Sequence, residues 1–378
     1  MRTRYVLQPH SGVVNPPVSD RLRFPAYECA AGARPMFVAR RRAHGDVLQS
    51  IPVYARCTFL AAALALLPAA SVAGVEIESR VTEGAWQRAA AVDARAGAIV
   101  SLRVRLPRGA SIRWYRIVPD VSKPYNNAVW PWDPNPYRWL GYARIRYARE
   151  EIDGFRGQSE IVLTPASRTW RQAFGRGDGA SAGMGSFWFQ AEVESGGRVF
   201  ASPGLERNDQ RGLSPEILRV TFRAGDDLLG HLTGFFNVPG VFGAVPYQVA
   251  NYIGVDCADV LMAAHARASG RPIVADHNVA GLTRALPAVR STRIHAGTPT
   301  TPLRWGTDVL PGDLIAVKYN GWGQFGHIGA LYADRNRNGL LDDADLVLHA
   351  GPMPLRFSTL GEGAFDGQAK ILRPRSRH

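Results

Sequence analysis

The sequence predicts an α+β fold in two parts: a β-rich, sandwich-like part, then a domain of one helix and an antiparallel sheet. Three observations carry this. Four segments between residues 75 and 225 alternate apolar and polar residues at period two. One stretch, residues 256–269, is dense in helix formers and is followed by Gly270. Short apolar runs then continue towards the C-terminus. The boundaries read as 1–73 for an N-terminal extension, 74–225 for the β-rich domain and 226–378 for the helix-and-sheet domain.

Within the extension, residues 59–67 form an apolar run preceded by Arg40, Arg41, Arg42 and Arg56. Pro68 and small residues follow, and Ser71-Val72-Ala73 fits a small-x-small cleavage pattern. This reads as an export signal cut after Ala73, with Met36 an alternative start. The run is short for a membrane span, which needs roughly 20 apolar residues. A periplasmic or secreted location follows, with no stable membrane insertion after cleavage.

The 378 residues are 46% hydrophobic and 20% charged, an ordinary globular mixture. The formal charge is +13. The basic residues are scattered, without the dense stripe and interleaved aromatics of a nucleic-acid binder, so no nucleic-acid partner is expected. A solvated basic surface and attraction to an anionic polymer such as a cell wall remain the two readings.

In the β-rich part the alternating segments are Ile99–Leu106, Ile112–Val118, Phe187–Val193 and Ile217–Phe222, separated by Gly- and Pro-rich turns. An antiparallel sandwich is expected. Between them lies an aromatic loop, Trp130 to Trp139, whose prolines exclude helix and central strand. Trp130, Trp132 and Trp139 either pack on their own domain or stack on a sugar-containing ligand. Residues 228–245 read as a connecting segment. The later strands are expected at Leu314–Val317, His327–Tyr332, Leu346–His349 and Lys370–Leu372.

Of the three cysteines, Cys29 and Cys57 precede the cleavage site, so the exported chain keeps Cys257 alone. A solitary thiol in an oxidising compartment is either buried and inert or used. Cys257 opens the predicted helix, where the dipole lowers a thiol pKa and free N–H groups can receive an oxyanion. His265 is eight residues along the same helix, about 12 Å away, and out of reach. His327, within Gly326-His327-Ile328-Gly329, begins a strand, and flanking glycines leave room for substrate or helix. His349 ends another strand. One imidazole can take the thiol proton while the other orients it.

The order of these pieces resembles the NlpC-type cell-wall peptidases of the papain-like cysteine peptidase class. Asp256-Cys257-Ala258 is similar to that family's Asp-Cys-Ser and Leu310-Pro311-Gly312-Asp313-Leu314 to its Pro-Gly-Asp-Leu. Gly326-His327-Ile328-Gly329 is similar to its His-Val-Gly, and Leu348-His349-Ala350 to its Ile-His-Ala. The resemblance covers about residues 245–375. It implies a papain-like, NlpC-type domain with Cys257 as nucleophile, His327 as base and His349 as orienting residue. It also implies Asp256 and either Tyr247 or Tyr252 near the substrate. Ala258 replaces the family's Ser, and Asp259 the Gly that usually follows. The expected function is a thiol hydrolase acting on an amide bond in peptidoglycan peptides, with a cell-wall peptide or polymer as partner. An acyl or amide transferase using the same site and a non-catalytic, calcium-stabilised wall-binding protein are the alternatives.

Between the two histidines, Asp334-Arg335-Asn336-Arg337-Asn338-Gly339-Leu340-Leu341-Asp342-Asp343-Ala344-Asp345 matches EF-hand-type calcium spacing. Asp334, Asn336, Asn338, Asp342 and Asp345 supply oxygens, Leu340 a carbonyl and Gly339 the sharp turn. The alternative is a metal-free surface turn. A bound Ca2+ would brace the turn joining the two histidine strands.

Overall fold

A computed structural model describes residues 74–128, 144–165, 167, 170 and 183–374. The export signal and Trp130, Trp132 and Trp139 lie outside the described residues. Among the described residues the fold is mixed α+β, with strand outweighing helix, 37% to 14%.

The first part is two sheets sharing one core. A three-stranded sheet has Val100–Arg103 between Glu78–Val81 and Glu160–Leu163. A second runs in the order Ala91–Arg95, Leu218–Arg223, Gly185–Ser195, Ser111–Pro119, Tyr147–Glu151, with Arg198–Ala201 beside Gly185–Ser195. Alternation turns Ile112, Trp114, Phe187, Phe189, Val220 and Phe222 inward, onto Val100, Leu102, Ile161 and Leu163 of the smaller sheet. All four alternating segments are strands. Within these two sheets one pairing departs from the antiparallel expectation: Ala91–Arg95 runs parallel to Leu218–Arg223. More than a hundred residues separate the two, so the chain has ample length for the crossover that parallel pairing needs.

Residues 228–245 are not a plain connection. Asp227 caps a helix, Leu228–Thr233, by accepting the Gly230 N–H at 2.6 Å. Val241–Phe242 then pairs parallel with Tyr125–Asn126 of the β-rich part. Gly and Phe dominate this stretch, which hides the helical periodicity, but Leu232, Phe235, Phe236 and Val238 are all buried.

The second part centres on a seven-stranded antiparallel sheet. Its order is Thr298–Pro299, Ala288–His295, Gly367–Leu372, Leu314–Lys318, His327–Ala333, Leu346–His349, Arg356–Thr359. The helix Cys257–Ala268 packs across the His327–Ala333 strand. Val260, Leu261 and Ala264 meet Ile328, Ala330 and Leu348 in one core. Leu331, Val347, Ile315 and Val317, one residue out of phase, fill a second core on the opposite face. A sheet covered on both faces has continuous apolar strands, as observed.

The Pro-Gly-Asp turn has a structural use. Asp313 is buried, takes the Leu310 N–H at 2.8 Å and forms a two-pronged ion pair with Arg373 at 2.7 and 2.6 Å. This ties the entry of one central strand to the exit of its neighbour. The helix Val279–Ala285 and the strand Ala288–His295 were not legible in the sequence. That strand is mostly exposed, so its alternation is between polar residues.

Candidate functional site

The Cys257 helix is cut by a clear start signal. Asp256 sits in extended backbone as N-cap, and its Oδ1 accepts the N–H of Ala258 at 3.1 Å and of Asp259 at 2.9 Å. Asp256 is therefore committed to the cap, and it occupies two of the N–H groups that the sequence reading offered to an oxyanion. The other end closes on Gly270 at φ 63°, with the Arg271 N–H returning to the Ala266 carbonyl at 2.8 Å.

His327 and His349 are brought together. The register pairs Ala330 with Leu348, and continuing it sets Gly329 opposite His349 and His327 one diagonal step away on the same face. His327 Nε2 lies 3.0 Å from His349 Nδ1, and His349 Nε2 lies 2.7 Å from Ser358 Oγ. Phe365 packs on both imidazoles, with centroid distances of 4.9 and 5.5 Å. With Nε2 engaged, Nδ1 is the nitrogen of His327 left to exchange a proton.

The glycines around His327 serve a different purpose from the one expected. A Cβ on Gly329 would stand 2.9 Å from the Cβ of His349 and 2.9 Å from the Phe365 ring. Its absence lets the two imidazoles meet. A Cβ on Gly326 would stand 2.5 Å from the Trp322 indole. The room is filled by the protein's own side chains, not by substrate or helix.

Cys257 lies at the same end of these strands. The N–H of Ile328, next to His327, is hydrogen-bonded to its sulfur. A Cβ on Gly351, two residues beyond His349, would stand 3.6 Å from both the N and the Cβ of Cys257. Ile328 and Ala330 face the helix, so His327 and Gly329 issue from the other face.

The electrostatics overturn one expectation. Burial, aided by the Asp256 carboxylate, pushes the Cys257 thiol up, against the N–H groups of Ile328 and of Cys257 itself. Burial pulls His327 down to about 4 and His349 well below the usual imidazole range. The resting groups are therefore a neutral thiol and two neutral imidazoles: loss of water outweighs the helix dipole. Burial, and then the neighbouring Asp256 carboxyl, raise Asp259 above the usual carboxylate range. Its Oδ1 accepts the His277 N–H at 2.9 Å.

The two candidate tyrosines separate. Tyr247, on the short helix Pro246–Ala250, is half-buried with the Arg211 guanidinium 4.8 Å from its ring. Tyr252 is buried at φ 58°, stacked on Phe235 at 4.3 Å and beneath the guanidiniums of Arg219 and Arg267. That places it with the far end of the Cys257 helix. Sequence reasoning missed Ser358, Phe365 and Tyr319. Burial, then the field of Cys257, raises the Tyr319 phenol. Only the Tyr319-Asn320-Gly321-Trp322-Gly323 run just before His327 offered a signal.

In the Asp334–Asp345 loop the oxygens of the expected ligands are taken up by N–H groups, mostly of the loop itself. Asp334 accepts the N–H of Asn338 at 3.2 Å and of Gly339 at 2.8 Å. The amides of Asn336 and Asn338 both reach Asp342 Oδ2, at 2.9 and 2.5 Å. The fully buried Asp345 accepts the Arg335 N–H at 3.1 Å, the Trp305 indole at 2.8 Å and the Asp342 N–H at 3.0 Å. Leu340 is exposed, and its N–H goes to Asn338 Oδ1 at 2.7 Å. Among the described residues no trio of His, Cys, Asp or Glu is gathered around a metal position, so any cation here depends on the two amides.

Searched against family models and curated proteins, the chain matches none. Among the described residues no helix is long and apolar enough to cross a membrane.

Proposed function

We propose that the C-terminal part is a papain-like, NlpC-type thiol hydrolase, periplasmic or secreted, that cleaves an amide bond in peptidoglycan peptides. The observation that carries this reading is the His327–His349–Ser358 relay at the strand end that also touches Cys257. In the forward step the Cys257 thiol gives its proton to His327 Nδ1 as sulfur attacks the carbonyl carbon. His327 then returns that proton to the leaving nitrogen, and a thioester remains. Water, deprotonated by His327, releases the acid and restores the thiol. His349, held by Ser358, fixes the tautomer of His327 throughout. Because the resting pair is neutral, proton transfer accompanies attack on the carbonyl instead of preceding it.

The raised thiol and the buried imidazoles favour a second reading, a non-catalytic wall-binding protein; an amine acceptor in place of water would give a transferase. One comparison decides between catalysis and binding. Purified wild type and Cys257→Ser are incubated with isolated peptidoglycan, and released peptides are measured. The expected result is release by wild type and at least about a thousandfold less by the variant. Equal release, or none from either, contradicts the hydrolase reading.

We propose further that the Asp334–Asp345 loop binds Ca2+. Rotation of the Asn336 and Asn338 amides would turn their oxygens to the place where Asp342 now receives two N–H groups. The loop joins the strands bearing His327 and His349, so the ion would brace the relay. Millimolar Ca2+ is expected to raise the Tm by several degrees, an effect reversed by chelator and lost in Asp334→Ala. An unchanged Tm in wild type would show the loop to be a metal-free turn.

A further inference from the structure

We infer that a cavity at the far end of the Cys257 helix, remote from the thiol, binds a phosphate-type oxyanion. The cavity measures about 350 Å³, within the roughly 300–1,000 Å³ range of small-molecule sites. Arg223, Arg267, Arg271 and His231 line it, with Asp93 the one carboxylate in its wall.

The chain builds this concentration of charge from three distant elements. On the strand Leu218–Arg223, even positions enter the sandwich core, so Arg219, Thr221 and Arg223 share the opposite face. The Leu228–Thr233 helix brings His231 to that face. The end of the Cys257 helix brings Arg267, and its Gly270 cap fixes the backbone of Arg271.

The countercharge falls short. Asp93 lies 3.5 Å from Arg219 and 4.0 Å from Arg267. Asp226 pairs with Arg223 at 2.6 Å and with Arg95 as well. Arg271 makes no ion pair or side-chain hydrogen bond among the described residues. Arg219 is 7% exposed and its Nη1 has no acceptor; the buried Nε atoms of Arg223 and Arg267 have none either.

Gathering like charges is costly in a folded protein, and an oxyanion offsets it by accepting from the several guanidiniums that line the cavity at once. The Tyr252 ring stiffens the site from below, 3.7 Å from the Arg219 guanidinium and 4.6 Å from that of Arg267. Burial, then the fields of Arg223 and Arg267, hold His231 below the usual imidazole range, which fits a cavity of positive potential. The inference does not depend on the hydrolase reading, since Arg267 is ten residues, about 15 Å, along the helix from Cys257.

Two sources carry this chemistry, free inorganic phosphate and the phosphodiesters of a wall polymer. Calorimetric titration of the full chain with inorganic phosphate and with poly(glycerol phosphate), at constant ionic strength, tests the site and separates them. At least one ligand is expected to bind with sub-millimolar Kd. Arg271→Gln, an exposed change that breaks no pair, is expected to weaken binding about tenfold, and Arg267→Gln at least as much. Tighter binding of the polymer per phosphate assigns the polymer, and equal binding assigns the free anion. No binding of either ligand, or binding unchanged in both variants, overturns the inference.

Discussion

Replacing His327 by Ala is expected to lower amide hydrolysis about a thousandfold or more while the protein stays folded. Removing a general acid–base group costs roughly 10²–10⁴ in rate, and here the same imidazole serves both half-reactions. His349→Ala is expected to cost less, about ten- to a hundredfold, because the base remains and only its Nε2 partner at 3.0 Å is lost. His349→Gln, which keeps an amide near Ser358, is expected to recover part of that loss. Steady-state hydrolysis of peptidoglycan fragments, with circular dichroism as a fold control, checks the series. Equal losses from His327→Ala and His349→Ala would make the two imidazoles a single structural unit rather than base and orienting residue.

The second large effect is on stability. Phe365 is 1% exposed and packs against both imidazoles and the space above Gly329. Phe365→Ala removes that packing and opens a cavity, at an expected cost of about 3–5 kcal/mol in urea unfolding at pH 7. It also admits water to His327, now held at about 4. An unfolded chain with His near 6.5 takes up a proton before the native state does. This group's contribution is thus fully present above pH 6.5 and is lost as pH falls towards 4. In Phe365→Ala the His327 pKa is expected to rise towards 6.5, and the acid loss attributable to it shrinks. Imidazole NMR titration reads this directly. A variant with unchanged stability and an unchanged His327 titration would show that Phe365 does not seal the site.

Much of this arrangement was legible because its signals are local. Asp256 before Cys257 and Gly270 after Ser269 mark helix ends by capping chemistry alone, and the period-two strands follow from burying one face. The juxtaposition of His327 and His349 was legible only as a possibility. It needs the register that sets Gly329 opposite His349, and register is a property of the folded sheet. Ser358 and Phe365 carried no signal, since a Ser in an edge strand and a Phe in a turn are ordinary. The protonation states also escaped the linear reading: a helix start favours a thiolate, but how much water the fold removes decides the outcome. The arginine cavity was invisible for the same reason as the relay. Residues 219, 223, 231, 267 and 271 look scattered until the sandwich face and the helix end meet.

Acyl transfer to the thiol is the most direct test of the central claim. Intact-mass analysis after brief exposure to p-nitrophenyl acetate is expected to show one acetyl group on Cys257 in the wild type. The adduct is expected to be absent in Cys257→Ser and to form about a hundredfold more slowly in His327→Ala. Acetylation of Cys257 at the same rate with and without His327 would contradict the claim that this imidazole acts on that sulfur.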